Sequence, residues 1–164
     1  MAIEYFHIHE SDQDMLEQIV ALEQEVHRTR SNGLNAFEVF SLIRYQRVYA
    51  AVEYDEVLGC VCFMRDFSND ARAFLYSIIV NPSEAGTKLS ESLLLTAFAD
   101  LKQSGLRMVE VAVASGNHKA LKLYRDELDF HVINVSEDES EEDEEFLRRS
   151  KLNIYLLLKN YLHF

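Results

Sequence analysis

Ile78-Ile79-Val80-Asn81-Pro82-Ser83-Glu84-Ala85-Gly86-Thr87-Lys88-Leu89-Ser90 is the stretch that orders the rest of the chain. It closes a run, Ala73–Val80, that is apolar on both parities (Phe74, Tyr76 and Ile78; Leu75 and Ile79), the pattern of a strand covered on both faces. It then passes the only proline and a polar loop with one glycine, and enters a helix from about Lys88 to Gln103. Leu89, Leu93, Leu94, Ala97, Phe98 and Leu101 lie on one broad face of that helix, and Gly105 stops it. Met108–Ala114 comes next as a second apolar strand, so strand, helix and strand predict a parallel βαβ crossover. A helix that starts just after a strand end presents unpaired N–H groups at a positive terminus, a ready anion site.

Upstream, Ala2–Ile8 alternates as a strand, and Ser11 or Asp12 can cap a helix whose Leu16, Ile19, Val20, Glu23 and Val26 keep a three-four spacing. After a polar turn at Arg28–Gly33, the residues Phe37, Phe40, Leu42 and Ile43 predict a shorter helix ending near Tyr45. Val48–Tyr54 and Val57–Met64 then predict a hairpin around Asp55-Glu56, with Gly59 allowing a bulge or a close approach. Downstream, Asn117–Leu128 predicts a helix with Ala120, Leu121, Tyr124 and Leu128 inward. Phe130–Val135 and Leu152–Leu158 predict two closing strands. The order implies an α/β (α+β) fold: a mixed, mostly antiparallel central sheet of about six to seven strands, with helices on both faces. At 164 residues it is expected to be a single domain, 1–164, with no internal repeat.

The formal net charge is −12, but residues 136–145, SEDESEEDEE, carry −8 of it and the remainder only −4. The acid excess argues against a nucleic-acid partner, and the acidic stretch itself is expected to be a solvated, mobile loop. No apolar run approaches the ~18 residues of a membrane span, and the N-terminus lacks the pattern of a signal peptide, so the expected location is cytoplasmic with no membrane partner. Cys60 and Cys62 would point the same way from a strand, where a disulfide between them would be badly strained. They read as small buried hydrophobes, and no metal-ligand spacing accompanies them. The terminal Tyr161-Leu162-His163-Phe164 leaves apolar groups that a second copy, in a homodimer, could cover.

Two groups of residues, taken together, resemble the GNAT superfamily of acyl-CoA N-acyltransferases. Val80, Pro82 and the loop Ala85-Gly86-Thr87-Lys88-Leu89-Ser90 fall on that family's strand-loop-helix pattern, and Asn117, Ala120, Leu123-Tyr124 and Phe130 fall on its later one. The order of elements matches along the whole chain. The departures are specific: Ala85 stands for a basic or amide residue, Lys88 and Ser90 stand for small ones, and only Gly86 of the loop's glycines is kept. The helix after Tyr124 is one residue longer than usual, with Asp129 where glycine is common. The resemblance implies that acetyl-CoA, as co-substrate, binds along Ile79, Val80 and the loop 85–90, with Asn117 on its pantetheine arm. No metal is implied. Tyr124 would hand a proton to the departing thiolate, and a backbone N–H near Ile79–Val80 would meet the developing oxyanion.

Taken alone, Asn117 is a natural N-cap after Ser115-Gly116 and Tyr124 a natural core tyrosine. No carboxylate lies on Ala73–Val80, and Tyr76 occupies the position where many of the family carry a glutamate. Glu110, Glu53, or a water chain held by Tyr76 and Ser77 at the acceptor's site could each take the amine's proton. The function implied is transfer of an acetyl group to a primary amine of a small molecule or peptide. The alternative is a degenerate fold that binds acyl-CoA or a protein without turnover. His118 is expected at the helix surface.

In this fold the acidic loop hangs near the acceptor's entrance. Steering by the acids of 136–145 predicts that kcat/KM for a cationic acceptor falls as added salt shortens the Debye length to ~3 Å at 1 M. A solvated hairpin tip, the plainer reading, predicts a flat salt response and no change when the acids are replaced by Ser and Gln.

Overall fold

The computed structural model of the chain describes residues 2–27, 33–132 and 155–162. Seven strands make one sheet in the order β1-β2-β3-β4-β5-β7-β6. They are β1 Glu4–His7, β2 Arg47–Glu53, β3 Glu56–Arg65, β4 Arg72–Val80, β5 Met108–Ala114, β6 His131–Val132 and β7 Tyr155–Tyr161. All neighbours are antiparallel except β4 and β5, the two ends of the predicted crossover. The acidic stretch 136–145 and the turn residues 28–32 lie outside the described residues.

Helices α1 (Gln13–Val26) and α2 (Ala36–Tyr45) cover one face, where Leu16, Ile19, Val39 and Leu42 meet Val48, Ala50, Cys60 and Ile79. Helix α3 (Leu89–Gln103) covers the other, packing Leu93, Leu94, Ala97 and Phe98 on Tyr49, Val61, Phe63 and Val109. Alternate residues of β2 therefore feed two cores, as period-2 geometry requires. The end of α3 is closed by paired bonds from Gly105 N–H to the Lys102 carbonyl and from Leu106 N–H to the Leu101 carbonyl. Cys60 and Cys62 are both buried and reduced.

Several local expectations shift. The hairpin turn is Tyr54-Asp55, one residue earlier than predicted. Both residues have positive φ, 51° and 63°, the conformation that matches the strands' twist, and the strand-like character of Tyr54 conceals it. In α2 the inward residues are Val39, Leu42 and Ile43, whereas Phe37 is 77% exposed and Phe40 faces outward too. Asp12 is the N-cap of α1, yet its carboxylate accepts from His9 N–H instead of a helix N–H. Leu162 is buried in the main core, leaving Tyr161 as the exposed apolar group among the described terminal residues.

Gly59 opposes Ala51 beside a one-residue irregularity between β2 and β3, and a Cβ there would sit 3.0 Å from the Ile79 carbonyl oxygen. Backbone cannot yield as a flexible side chain does. Gly59→Ala is expected to destabilise the fold by about 1–3 kcal/mol in a chemical denaturation series.

Candidate functional site

β4 and β5 pair only over Arg72–Leu75 and Met108–Val111. Beyond that point β4 stays with β3 as far as Val80, and β5 stays with β7 as far as Ala114, so the sheet splits. The split begins at a bulge. Cys62 pairs with Ser77 and Phe63 with Leu75, leaving Tyr76 as an extra residue on β4. The extra residue reverses the alternation: Leu75 packs in the core under α3, while Ile79, of the same parity, packs in the core under α1 and α2. Part of the both-parity apolar pattern of this strand is thus a change of face. Along the split, every other backbone N–H and C=O of residues 76–80 faces an opening instead of a β5 ladder partner.

The split runs into a groove of about 680 Å³ lined by Val80, the loop from Asn81 to Lys88, the start of α3, and Asn117, Lys119, Ala120, Lys122, Leu123 and Glu127. Asn81 shapes the loop by accepting from Ser83 N–H ahead of the single 3-10 turn Pro82–Glu84. Gly86 has φ +83° and no heavy atom within 4 Å of where a Cβ would stand, so the loop's backbone is bare on the open side. Lys88 at the N-cap of α3 gives no side-chain cap, and the Thr87 hydroxyl accepts from Leu89 N–H at 3.3 Å. The N–H groups of Ser90 and Glu91 have no partner among the described residues. Together these features form an anion cradle.

The electrostatics of the groove are mixed, with Lys88, Lys119 and Lys122 set against Glu84, Glu91 and Glu127. Lys88 Nζ lies 3.6 Å from Glu91 and is 87% exposed, a weak surface pair that an anion in the cradle can displace. The Asn117 carbonyl oxygen caps helix α4 (His118–Leu121) by accepting from Ala120 N–H at 3.1 Å. The amide NH2 of Asn117 remains in the groove without a partner among the described residues, so its capping role and a binding role are compatible.

Past α4, Lys122–Glu127 widens into a π-helical turn, with Leu128 N–H bonded five residues back to Leu123, and Asp129 takes φ +60°. This accommodates the predicted extra residue, and Asp129 adopts the left-handed conformation that glycine would take more easily. Tyr124 sits on this turn with its ring buried at 3% exposure, edge-on to Phe130 at 5.2 Å. Its hydroxyl has no hydrogen bond among the described residues, and burial pushes its pKa above the usual tyrosine range.

Of the predicted binding residues, Val80, Ala85, Gly86, Thr87, Lys88, Ser90 and Asn117 share the groove. Leu89 does not: its side chain is in the core and its N–H is taken by Thr87. The Ile79 side chain points to the α1/α2 face, which leaves only its backbone toward the split. Tyr124 belongs to the aromatic core and is not among the groove-lining side chains. Tyr76 is the exposed bulge residue, and His118 is exposed as expected. Among the candidate proton acceptors, Glu110 is held by Arg72 at 3.3 Å and Lys159 at 3.4 Å. Glu53 ends β2 opposite Glu56 at the hairpin tip. The structure instead brings a carboxylate from α1 to β4: Glu23, 1% exposed, accepts from the Ser77 hydroxyl at 3.1 Å. Its signal in the sequence was a glutamate inside an apolar helical stripe. Among the described residues, no cluster of three or more His, Cys, Asp or Glu side chains could hold a metal, and no helix is long and apolar enough to cross a membrane.

The sequence profile of the Acetyltransferase (GNAT) family matches residues 13–130. No match is found among curated protein sequences. In three dimensions the chain is similar to aminoglycoside 6'-acetyltransferase type Ii, with TM-score 0.75 and 12% identity over 99% of this chain and 98% of that one. A GNAT-family acetyltransferase from Streptococcus pneumoniae gives 0.73 and 15% over 99% and 100%. The PaiA N-acetyltransferase of Thermoplasma acidophilum, solved with coenzyme A, gives 0.68 and 12% over 98% and 99%.

A buried hydroxyl without a partner contributes nothing to folding. Tyr124→Phe is therefore expected to leave the thermal midpoint unchanged or slightly raised. A loss above about 1 kcal/mol would reveal a hydrogen bond at that oxygen.

Proposed function

The chain belongs to the GNAT acetyltransferase family, and from that premise we propose that it moves an acetyl group from acetyl-CoA to a primary amine of a small-molecule or peptide acceptor. The observation that carries the reading is the split between β4 and β5, open along residues 76–80 and continuous in sequence with an anion cradle at the start of α3. Acetyl-CoA, when bound, supplies the acyl group as an activated thioester.

The residues present suit such a ligand. The bare backbone at Gly86 and the free N–H groups of Ser90 and Glu91 suit a diphosphate, with Lys119 and Lys122 adding positive charge beside it. The free amide of Asn117 suits a pantetheine carbonyl. Unpaired N–H groups along residues 76–80 are placed to stabilise negative charge on a carbonyl oxygen lying in the split, the preorganised kind of stabilisation that dominates acyl transfer. Tyr124 is the buried donor on the α4 side. Burial keeps its phenol protonated throughout the neutral range, so it is available to give a proton to a leaving sulfur.

A second reading, a module that binds acyl-CoA without turnover, is favoured by the position of Tyr124 in the aromatic core instead of the groove. Thermal shift with acetyl-CoA, followed by thiol release over spermidine, kanamycin and a lysine-rich peptide, separates the two. Stabilisation with turnover supports transfer, and stabilisation without it supports the module. Gly86→Glu is expected to abolish the stabilisation. Tyr124→Phe is expected to lower kcat by ~10²-fold while leaving acetyl-CoA affinity within a few-fold.

A further inference from the structure

Glu23 is a buried carboxylate to which the groove assigns no task. It lies on the inward face of α1, opposite the bulge of β4. One carboxylate oxygen accepts from the Ser77 hydroxyl at 3.1 Å. The other accepts from Leu34 N–H at 3.2 Å and lies 3.6 Å from His27 Nε2. Gly33 makes the Leu34 contact attainable, since a Cβ there would stand 3.0 Å from the Glu23 carbonyl oxygen and 3.2 Å from His27 Cβ.

The two ends of this chain of contacts differ from its middle. Ser77 is half-buried and belongs to the part of β4 that has left β5, and its side chain, of the same parity as Ile79, lies on the α1/α2 face of the split. The His27 side chain is 25% exposed at the C-terminal end of α1. A carboxylate at 1% exposure thus bridges a group at the split and a group at the surface. Among the described residues, the other polar neighbours do not compete for it. Cys60 on β3 is held as a neutral thiol, its pKa raised by its contact with Cys62, by burial and by the Glu23 charge. On α2, Glu38 is engaged at its own helix cap by Asn35, and Arg44 pairs with Glu10.

We propose that Ser77, Glu23 and His27 form a proton conduit that carries the acceptor's ammonium proton from the split, on the face opposite the anion cradle, out to solvent. The proposal rests on the acetyl-transfer reading. An alkyl ammonium with a pKa of ~10 must lose one proton before its nitrogen can attack. In the conduit that proton passes to the Ser77 oxygen as the Ser77 hydroxyl proton passes to Glu23. Glu23 then turns about its Cγ–Cδ bond, which brings the protonated oxygen to the His27 side, and returns to a carboxylate by releasing that proton through His27 to water. The neutral amine forms the N–C bond, the C–S bond breaks, and the second nitrogen proton ends on the thiolate sulfur. Atoms and charge balance without a further reactant.

The test compares two nucleophiles: spermidine, an ammonium near neutral pH, and hydroxylamine, already neutral there. Glu23→Gln, nearly isosteric, is expected to lower kcat/KM for spermidine by ~10²-fold near neutral pH and to change hydroxylamine turnover by only a few-fold. The spermidine deficit is expected to shrink as pH rises toward ~10, where the amine arrives neutral. The thermal midpoint and acetyl-CoA affinity should stay near wild type. If Glu23→Gln fails to fold, Ser77→Ala and the partly exposed His27→Gln carry the same comparison, with the same loss confined to spermidine. Equal losses on both nucleophiles, or a deficit constant with pH, would overturn the conduit in favour of a purely structural carboxylate. A wild type that acetylates hydroxylamine but none of spermidine, kanamycin and the lysine-rich peptide also overturns it, and one that acetylates none of the four overturns the acetyl-transfer reading and the conduit together.

Discussion

One unpaired residue on β4, Tyr76, governs the opening of the strands beyond it. A strand cannot continue in register on both edges when it carries one residue more than its neighbour, and β4 resolves the mismatch by keeping β3 and giving up β5. The parallel pairing ends at Leu75 and Val111, the alternation of faces reverses, and the backbone beyond is left with groups that have no ladder partner on the β5 side among the described residues. The two hydrophobic cores absorb the change. Leu75 and Ile79 stay buried, each in a different core, so the split is opened without exposing either side chain.

The groove at the end of the split is more acidic than a phosphate site needs to be. Glu84, Glu91 and Glu127 balance Lys88, Lys119 and Lys122 in number. Any diphosphate affinity then falls to local backbone: helix N–H groups aligned with the α3 dipole, and a loop kept bare at Gly86. The Lys88 side chain does not fill that space, because it extends into solvent toward Glu91. The loss of the other glycines is tolerated because the remaining one has the positive φ.

Much of this was legible from residue order. The crossover, α3 with its stop at Gly105, β5 with its bounds, and the mixed sheet all derive from apolar periodicity and a few punctuating glycines. Seven of the predicted binding residues share one groove, because a motif constrains neighbours in sequence to be neighbours in space. What was not legible depended on cross-chain register or on the inner or outer sense of one side chain. The bulge at Tyr76 exists only in relation to β3, so a single strand's sequence cannot display it. Leu89 and Tyr124 are one residue away from groove-lining positions, and one step along a helix is enough to turn a side chain into the core. Glu23 looked like a polar interruption in an apolar stripe, since its partners Ser77 and Leu34 come from β4 and from the connection after α1.

The widened turn at Lys122–Glu127 sets the rotational phase of the helix that carries the groove's far wall. In an α-helix, one added residue would swing everything before it by ~100° relative to the residues after it. By taking the surplus into a single π turn, the helix keeps Asn117, Ala120 and Leu123 aimed at the groove while Phe130 still enters its place against Phe98 and Tyr124. The turn is a length compensator. It uncouples the azimuth of the groove-facing residues from the number of residues before β6, so this part of the chain can gain a residue without the groove losing its wall.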